Sequence, residues 1–187
     1  MPKTISDEQI FEAALSTIAE HGYAGATTRQ IASAAGVNEV TLFRKFGSKA
    51  NLLREAMLRE LSMFEQSGGA SYTGDLVADL ERIVDLYHAL IERRGSLMPM
   101  IFAELRRRPE LGEVLKIPLR MIHSVAEVLA RYQREQVLQP EPPLQAVAAL
   151  FGPLLIAGML RGYPVVSPDF PSTAEHVRRF VNGRALR

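Results

Sequence analysis

Four cations, Arg29, Arg44, Lys45 and Lys49, fall between Gly25 and Asn51 with Glu39 as the one acid among them, a local net charge of +3 in a chain whose total is +1. Residues 1–24 hold Lys3 against Asp7, Glu8, Glu12 and Glu20, a net −3, so positive charge is concentrated in one short stretch. Clustered cations of this kind are what contacts to nucleic-acid phosphates require. Beside them stand Asn38, Glu39, Val40 and Thr41, small or polar side chains suited to base edges, where a threonine methyl can meet a thymine methyl. Other chemistry is poorly represented. There is no cysteine, which removes disulfides, thiolate metal sites and a cysteine nucleophile together. No phosphate-binding glycine loop, metal cluster or nucleophile with an adjacent base is visible either.

The elements that must position these groups are compressed into Thr27 to Leu53. Thr27 with Gln30 forms a capping box that starts one helix, and Gly36 supplies the turn that ends it. Asn38 is a strong N-cap for a second helix, and Ser48 starts a third after Phe46 and Gly47. Ala32, four residues before Gly36, permits close helix crossing, while Ile31, Val37, Leu42 and Phe46 supply the apolar contacts beneath. The spacing predicts a helix-turn-helix whose short second helix presents its first turn to a DNA groove. A plain helical hairpin within a bundle has the same punctuation; the local charge favours the DNA reading.

Gly36 to Leu53, GVNEVTLFRKFGSKANLL, resembles the signature of the TetR/AcrR family of bacterial transcriptional regulators, a stretch like GVSxGTLYRHFxSKEELL. The Gly-Val turn, the Thr-Leu-aromatic-Arg-x-Phe segment and the Ser-Lys helix start stand at family spacing, and the strong resemblance covers about residues 6–55. Two positions depart from it. Phe43 stands where the family often has a tyrosine whose phenol contacts phosphate, and phenylalanine cannot donate. Val40 stands where many members have glycine, preceded by the acidic Glu39, which either accepts from a cytosine amino group or is turned aside from the phosphates.

Roles follow for the individual residues. Thr28 and Arg29 at the start of the second helix of the chain, and Lys49 at the next start, are placed to bind phosphates at helix N-termini. Asn38, Glu39, Val40 and Thr41 are the candidate base readers. Arg44 and Lys45 lie a turn later and reach for the backbone, although Lys45 is equally readable as a solvated surface lysine.

The remainder reads as helix throughout, so the fold class is all-α: an N-terminal three-helix helix-turn-helix head joined to a larger helical bundle for effector binding and dimerisation. The head is expected at 1–47 and the body at 48–187, with helix 48–65 connecting them. Periodicity predicts a first helix from Ser6 to about His21, and body helices near 75–94, 97–107, 110–115, 118–137, 144–162 and 173–181, the last with a Ser172/Glu175 capping box. The N-terminus lacks the apolar core of a signal peptide. The longest apolar run, Ala146 to Leu160, contains Gly152 and Pro153 and is shorter than a membrane span. A soluble, cytoplasmic protein without a membrane partner is expected.

The helix from Leu144 to Gly162 is apolar nearly all round, which calls for burial on more than one side. Either it is the central core helix, or it pairs with the helix from Ser172 against the same two helices of a second copy. The family resemblance implies the latter, a homodimer through the last two helices that binds a palindromic double-stranded DNA operator and is released by a small-molecule effector. Candidate linings for a largely apolar effector are Phe64, Tyr87, His88 and Met98, with Phe102, Met121, His123 and Phe151. Asp85 and His88 lie one turn apart, but without a second pair they predict a hydrogen-bonded couple rather than a metal site. No cofactor, metal or catalytic residue is expected. The competing class is a helical-bundle small-molecule carrier or enzyme without DNA binding; whether a regulator would repress or activate is open.

Overall fold

The computed structural model describes residues 5–94, 97–160 and 171–185. Nine α-helices and one short 3-10 turn are present among them, in the order α1 Asp7–Gly25, α2 Thr28–Ala35, α3 Glu39–Phe46, α4 Lys49–Gln66, α5 Leu76–Arg94, α6 Leu97–Leu105, the turn Pro109–Leu111, α7 Gly112–Arg134, α8 Pro143–Leu160 and α9 Thr173–Asn182. The single β feature among the described residues is an isolated bridge between Leu138 and Ala185. The all-α class expected from periodicity is the one observed.

Two compact units divide the chain: Met1–Leu61 with Ser96–Ile117, and Ser62–Gly95 with Pro118–Arg187. In the first, α1 packs on α2 and α6, and α2 on α3. Ile10, Leu15, Ile18, Ile31, Leu42, Leu52, Leu53, Leu97, Ile101 and Leu111 form its buried interior. In the second, α5 packs on α8 and α9, around Leu80, Ile83, Leu129, Tyr132, Leu150, Phe151, Val177 and Phe180.

Helix starts are made by the caps that the sequence announces. Ser6 with Gln9 and Thr27 with Gln30 each form a complete capping box, Asn38 Oδ1 accepts from Val40 N at 2.9 Å, and Ser48 Oγ accepts from Asn51 N at 3.1 Å. Gly22, at φ 73° and ψ 160°, interrupts α1 just after His21. At the last helix only half of the expected box forms. Ser172 Oγ accepts from Glu175 N at 3.3 Å, but the Glu175 carboxylate is drawn to Arg178 and Arg179 one turn on.

One expected break is absent. Separate helices are expected at 110–115 and 118–137, yet α7 runs unbroken from Gly112 to Arg134 with Pro118 inside it. An interior proline costs about 3 kcal/mol. Val114, Ile117, Met121, Val125, Leu129 and Tyr132 are all buried along one stripe of the helix, and each such side chain contributes about 1.5–3 kcal/mol, which offsets the loss. The helix then ends at Arg134 rather than Val137. Gln136 adopts φ 60°, with Gln136 N bonded to Gln133 O at 3.1 Å and Val137 N to Tyr132 O at 3.0 Å, a Schellman-type stop.

The second unit contains a buried carboxylate that sequence reading passed over. Asp79 is fully buried and accepts from Thr73 N and Thr73 Oγ1, both at 2.7 Å, from Arg82 Nη2 at 2.7 Å and from Tyr132 Oη at 2.6 Å. Arg82 also donates to Gly68 O and Ser71 O. Together these bonds pin the 67–75 connection onto α5 and α7. α8 is 18 residues long and apolar enough, by length and composition, to cross a membrane, although its residues Ala146, Val147, Leu150, Phe151, Leu154 and Ala157 belong to the second unit's interior. Its expected end at Gly162 lies outside the described residues.

Candidate nucleic-acid interface

The site is built on the α2–α3 pair. Gly36 closes α2 in the left-handed region at φ 70°, ψ 27°, with Gly36 N bonded to Ser33 O at 3.1 Å and Val37 N to Ala32 O at 2.9 Å. Reaching that conformation requires a residue without a Cβ penalty. The chain then needs only Val37 and Asn38 before α3 begins. Leu42 anchors α3 from below and is buried beside Ile31 and Ala32, while Phe46 meets Phe11 of α1 at a ring separation of 5.8 Å.

With Leu42 turned inward, α3 shows the opposite face to solvent. Val40 is 72% exposed and Phe43 54% exposed, and Thr41, Arg44 and Lys45 are exposed around them. Arg29 is exposed on α2, and Asn38 at the cap. The segment thus carries cations and two bare apolar side chains on one outward surface.

Several candidates have partners within the unit that sequence alone did not reveal. Thr28 Oγ1 donates to Glu39 Oε1 at 2.6 Å, drawing the acid back against the start of α2. Lys45 pairs with Asp7 at the start of α1. The Lys49 ammonium donates to the carbonyls of Tyr23 and Ala26, which lie where α1 ends and have no following turn to satisfy them. It also lies 4.4 Å from the centroid of the Tyr23 ring, with the Arg108 guanidinium 5.5 Å from the same ring. Burial first, and then the charge of Arg108, hold Lys49 below the usual lysine range, while burial and Glu110 raise the Tyr23 phenol. Lys49 therefore ties α4 to α1. Arg29 and Arg44 stand on the surface as the long cations of the α2–α3 face.

The effector candidates divide between the units. Phe64, Tyr87, His88, Met121, His123 and Phe151 belong to the second, Met98 and Phe102 to the first. Tyr87 and Phe151 stack at 3.8 Å with their planes 10° apart, and burial pushes the Tyr87 phenol up to about 12. Phe64 and Met121 are buried too. His123 is on the surface with Nδ1 2.7 Å from Leu119 O, and Phe102 is 56% exposed. Asp85 accepts from Thr173 Oγ1 rather than engaging His88, and no group of three potential metal ligands gathers among the described residues.

Against known proteins, residues 10–56, from α1 into α4, match the profile described as bacterial regulatory proteins, tetR family. The HTH-type transcriptional repressor AcnR of Corynebacterium glutamicum is 35% identical over 147 residues, covering 67% of this chain and 78% of that protein. The chain belongs to the tetR family. It is a DNA-binding transcriptional regulator of that family, whose members bind DNA as dimers and respond to small-molecule effectors. An uncharacterized HTH-type transcriptional regulator of Bacillus subtilis, YvkB, is 29% identical over 135 residues, covering 72% of this chain and 71% of that one, whereas mycobacterial relatives are aligned over 55% of their length. Among solved structures, a transcriptional regulator from Saccharomonospora viridis in complex with choline superposes with a TM-score of 0.70 at 21% identity, covering 97% of this chain and 98% of that one. That last likeness is one of fold.

Proposed function

We propose that this regulator is a ligand-responsive repressor that binds a palindromic operator as a homodimer and is released by a largely apolar small molecule. The observation that carries the reading is the outward surface of α2 and α3, where Arg29, Arg44, Asn38 and Thr41 stand free of the core around Val40 and Phe43. In this reading Arg29 and Arg44 set the register on the backbone and Asn38, Val40, Thr41 and Phe43 face the bases, while Thr28 with Glu39, Lys45 with Asp7, and Lys49 on the end of α1 hold the head's helices in place. One such helix with few cations binds weakly. Two linked heads add their contacts and read half-sites about one helical turn apart.

Dimerisation is assigned to α8 and α9. Leu144, Ile156 and Met159 of α8 are 51%, 56% and 46% exposed, an apolar outer face on a helix whose inner face is already buried. The effector is assigned to the second unit, whose interior holds Phe64, Tyr87, Met121, Tyr132, Phe151 and Phe180, and the fold neighbour crystallised with choline accords with a small-molecule site. Repression accords with AcnR's description as a repressor. Ligand and operator then oppose each other reciprocally, because each favours a different arrangement of the same dimer.

The test is selection of genomic fragments on the purified full chain, followed by anisotropy titrations of a selected duplex across salt concentrations. Specific binding that weakens steeply with salt supports the reading. If no fragment is preferred over random duplex, the reading of a specific palindromic operator is overturned.

A further inference from the structure

We propose that Val40 and Phe43 set operator sequence by apolar contact with thymine methyl groups, so that each half-site places thymines opposite this pair; the inference rests on the regulator reading above. Two of the neighbouring hydrogen-bonding side chains are engaged inside the head. Asn38 Oδ1 caps α3 through Val40 N, and the Glu39 carboxylate is held by the Thr28 hydroxyl. Beside them stand two bare apolar side chains, Val40 at 72% and Phe43 at 54% exposure, the former the most exposed of the large hydrophobic side chains among the described residues.

Neither side chain contributes to the head's own stability in a way that accounts for it. Valine is a mediocre helix former, and side chains this exposed bury little apolar area. Their position is one of three residues apart on a helix, which brings them side by side at about 5–6 Å. That separation lies between one base step of about 3.4 Å and two, so the pair reaches neighbouring bases. In the major groove the only apolar group on a base edge is the thymine 5-methyl, so an apolar pair there discriminates thymine from the other three bases by burial rather than by hydrogen bonding. Arg29 and Arg44, exposed on α2 and α3, supply the phosphate contacts that hold the pair against the duplex.

The test replaces each thymine of a selected operator duplex in turn with deoxyuridine, which lacks only the 5-methyl, and measures Kd for the full chain at fixed salt. At the thymines facing Val40 and Phe43 the substitution weakens binding about fourfold, the ratio for burying one methyl group. In Val40→Ala the penalty at one of these thymines disappears, while the helical circular dichroism stays as in the parent. Phe43→Ala does the same at the other. A selected operator whose half-sites lack thymine in the contacted region, or one in which no deoxyuridine changes Kd, overturns the inference while leaving the regulator reading intact. Failure to select any preferred sequence overturns both.

Discussion

The Thr28 hydroxyl donates to the Glu39 carboxylate at 2.6 Å, joining the first turn of α2 to the first turn of α3 across the glycine turn. The bond answers which way the acid faces: toward the neighbouring helix. It also fixes the two helix starts that approach DNA relative to each other. A hydrogen bond to a charged acceptor contributes about 1.5–3 kcal/mol when shielded and less at a half-exposed site. A double-mutant cycle of Thr28→Ala and Glu39→Ala, followed by urea unfolding, should therefore give a coupling of about 1 kcal/mol. Strictly additive single effects would show that the pair does not hold the helices.

Gly36 is the second point at which the reading helix depends on local geometry. An added Cβ there meets only Ile5 Cδ1 at 3.5 Å, an ordinary contact, so the cost of substitution lies in the backbone at φ 70°. Gly36→Ala should lose about 1–2 kcal/mol, the penalty for an L-residue in the left-handed region. Gly36→Asn should lose less, because asparagine tolerates that region better. Equal losses for the two variants would point to crowding instead.

What was legible in the sequence is what is local along the chain. The Thr27/Gln30 box, the Asn38 cap and the Gly36 stop involve groups within four residues, and each appears where its spacing placed it. The partners of Glu39, Lys45 and Lys49 lie 11, 38 and 26 residues away respectively, and no spacing rule announces them. A carbonyl left open at the end of α1 is a signal only once α4 is known to start beside it. Pro118 was misread for a related reason, since the burial that offsets it comes from neighbours in space. Exposure of Val40 and Phe43 was legible only in outline: Leu42 as the buried residue of α3 already implied it.

Asp79 makes the second unit sensitive to acid. Burial alone would raise its carboxyl, but hydrogen bonds from Tyr132, the Thr73 amide, Arg82 and the Thr73 hydroxyl outweigh burial and hold it below the usual carboxylate value of 3.8. A carboxyl whose folded pKa is lowered contributes stability that is complete above its unfolded value and is lost as pH falls through the folded one. Asp79→Asn should cost about 2–3 kcal/mol at neutral pH by removing the charged acceptor. Below about pH 4 the difference between parent and variant should begin to shrink, because the proton then binds the unfolded parent before it binds the folded one. Urea unfolding at intervals from pH 7 to pH 3 measures it; a gap constant over that range would mean that the charge of Asp79 is not what the four donors stabilise.

Ile156 tests the dimer. It is 56% exposed, with Met159 one turn further along α8 at 46%, and the partly exposed Ala149 and Gly152 precede it along the helix, leaving room for close approach of a second helix. Two copies meeting on this surface contact each other through the same residues, so one substitution enters the interface twice. Ile156→Glu places a carboxylate against its own copy in a desolvated patch, a cost that an apolar interface cannot compensate. Because the side chain is not part of the second unit's interior, the fold of each subunit should survive. Sedimentation at micromolar concentration should then change from dimer to monomer with the helical circular dichroism retained. Operator affinity should drop by about 10²–10⁴, the advantage that linkage of two heads provides, while the weak affinity of one head for random duplex remains. If Ile156→Glu sediments as a dimer, the two-fold contact lies elsewhere on the chain, and the apolar face of α8 needs another partner.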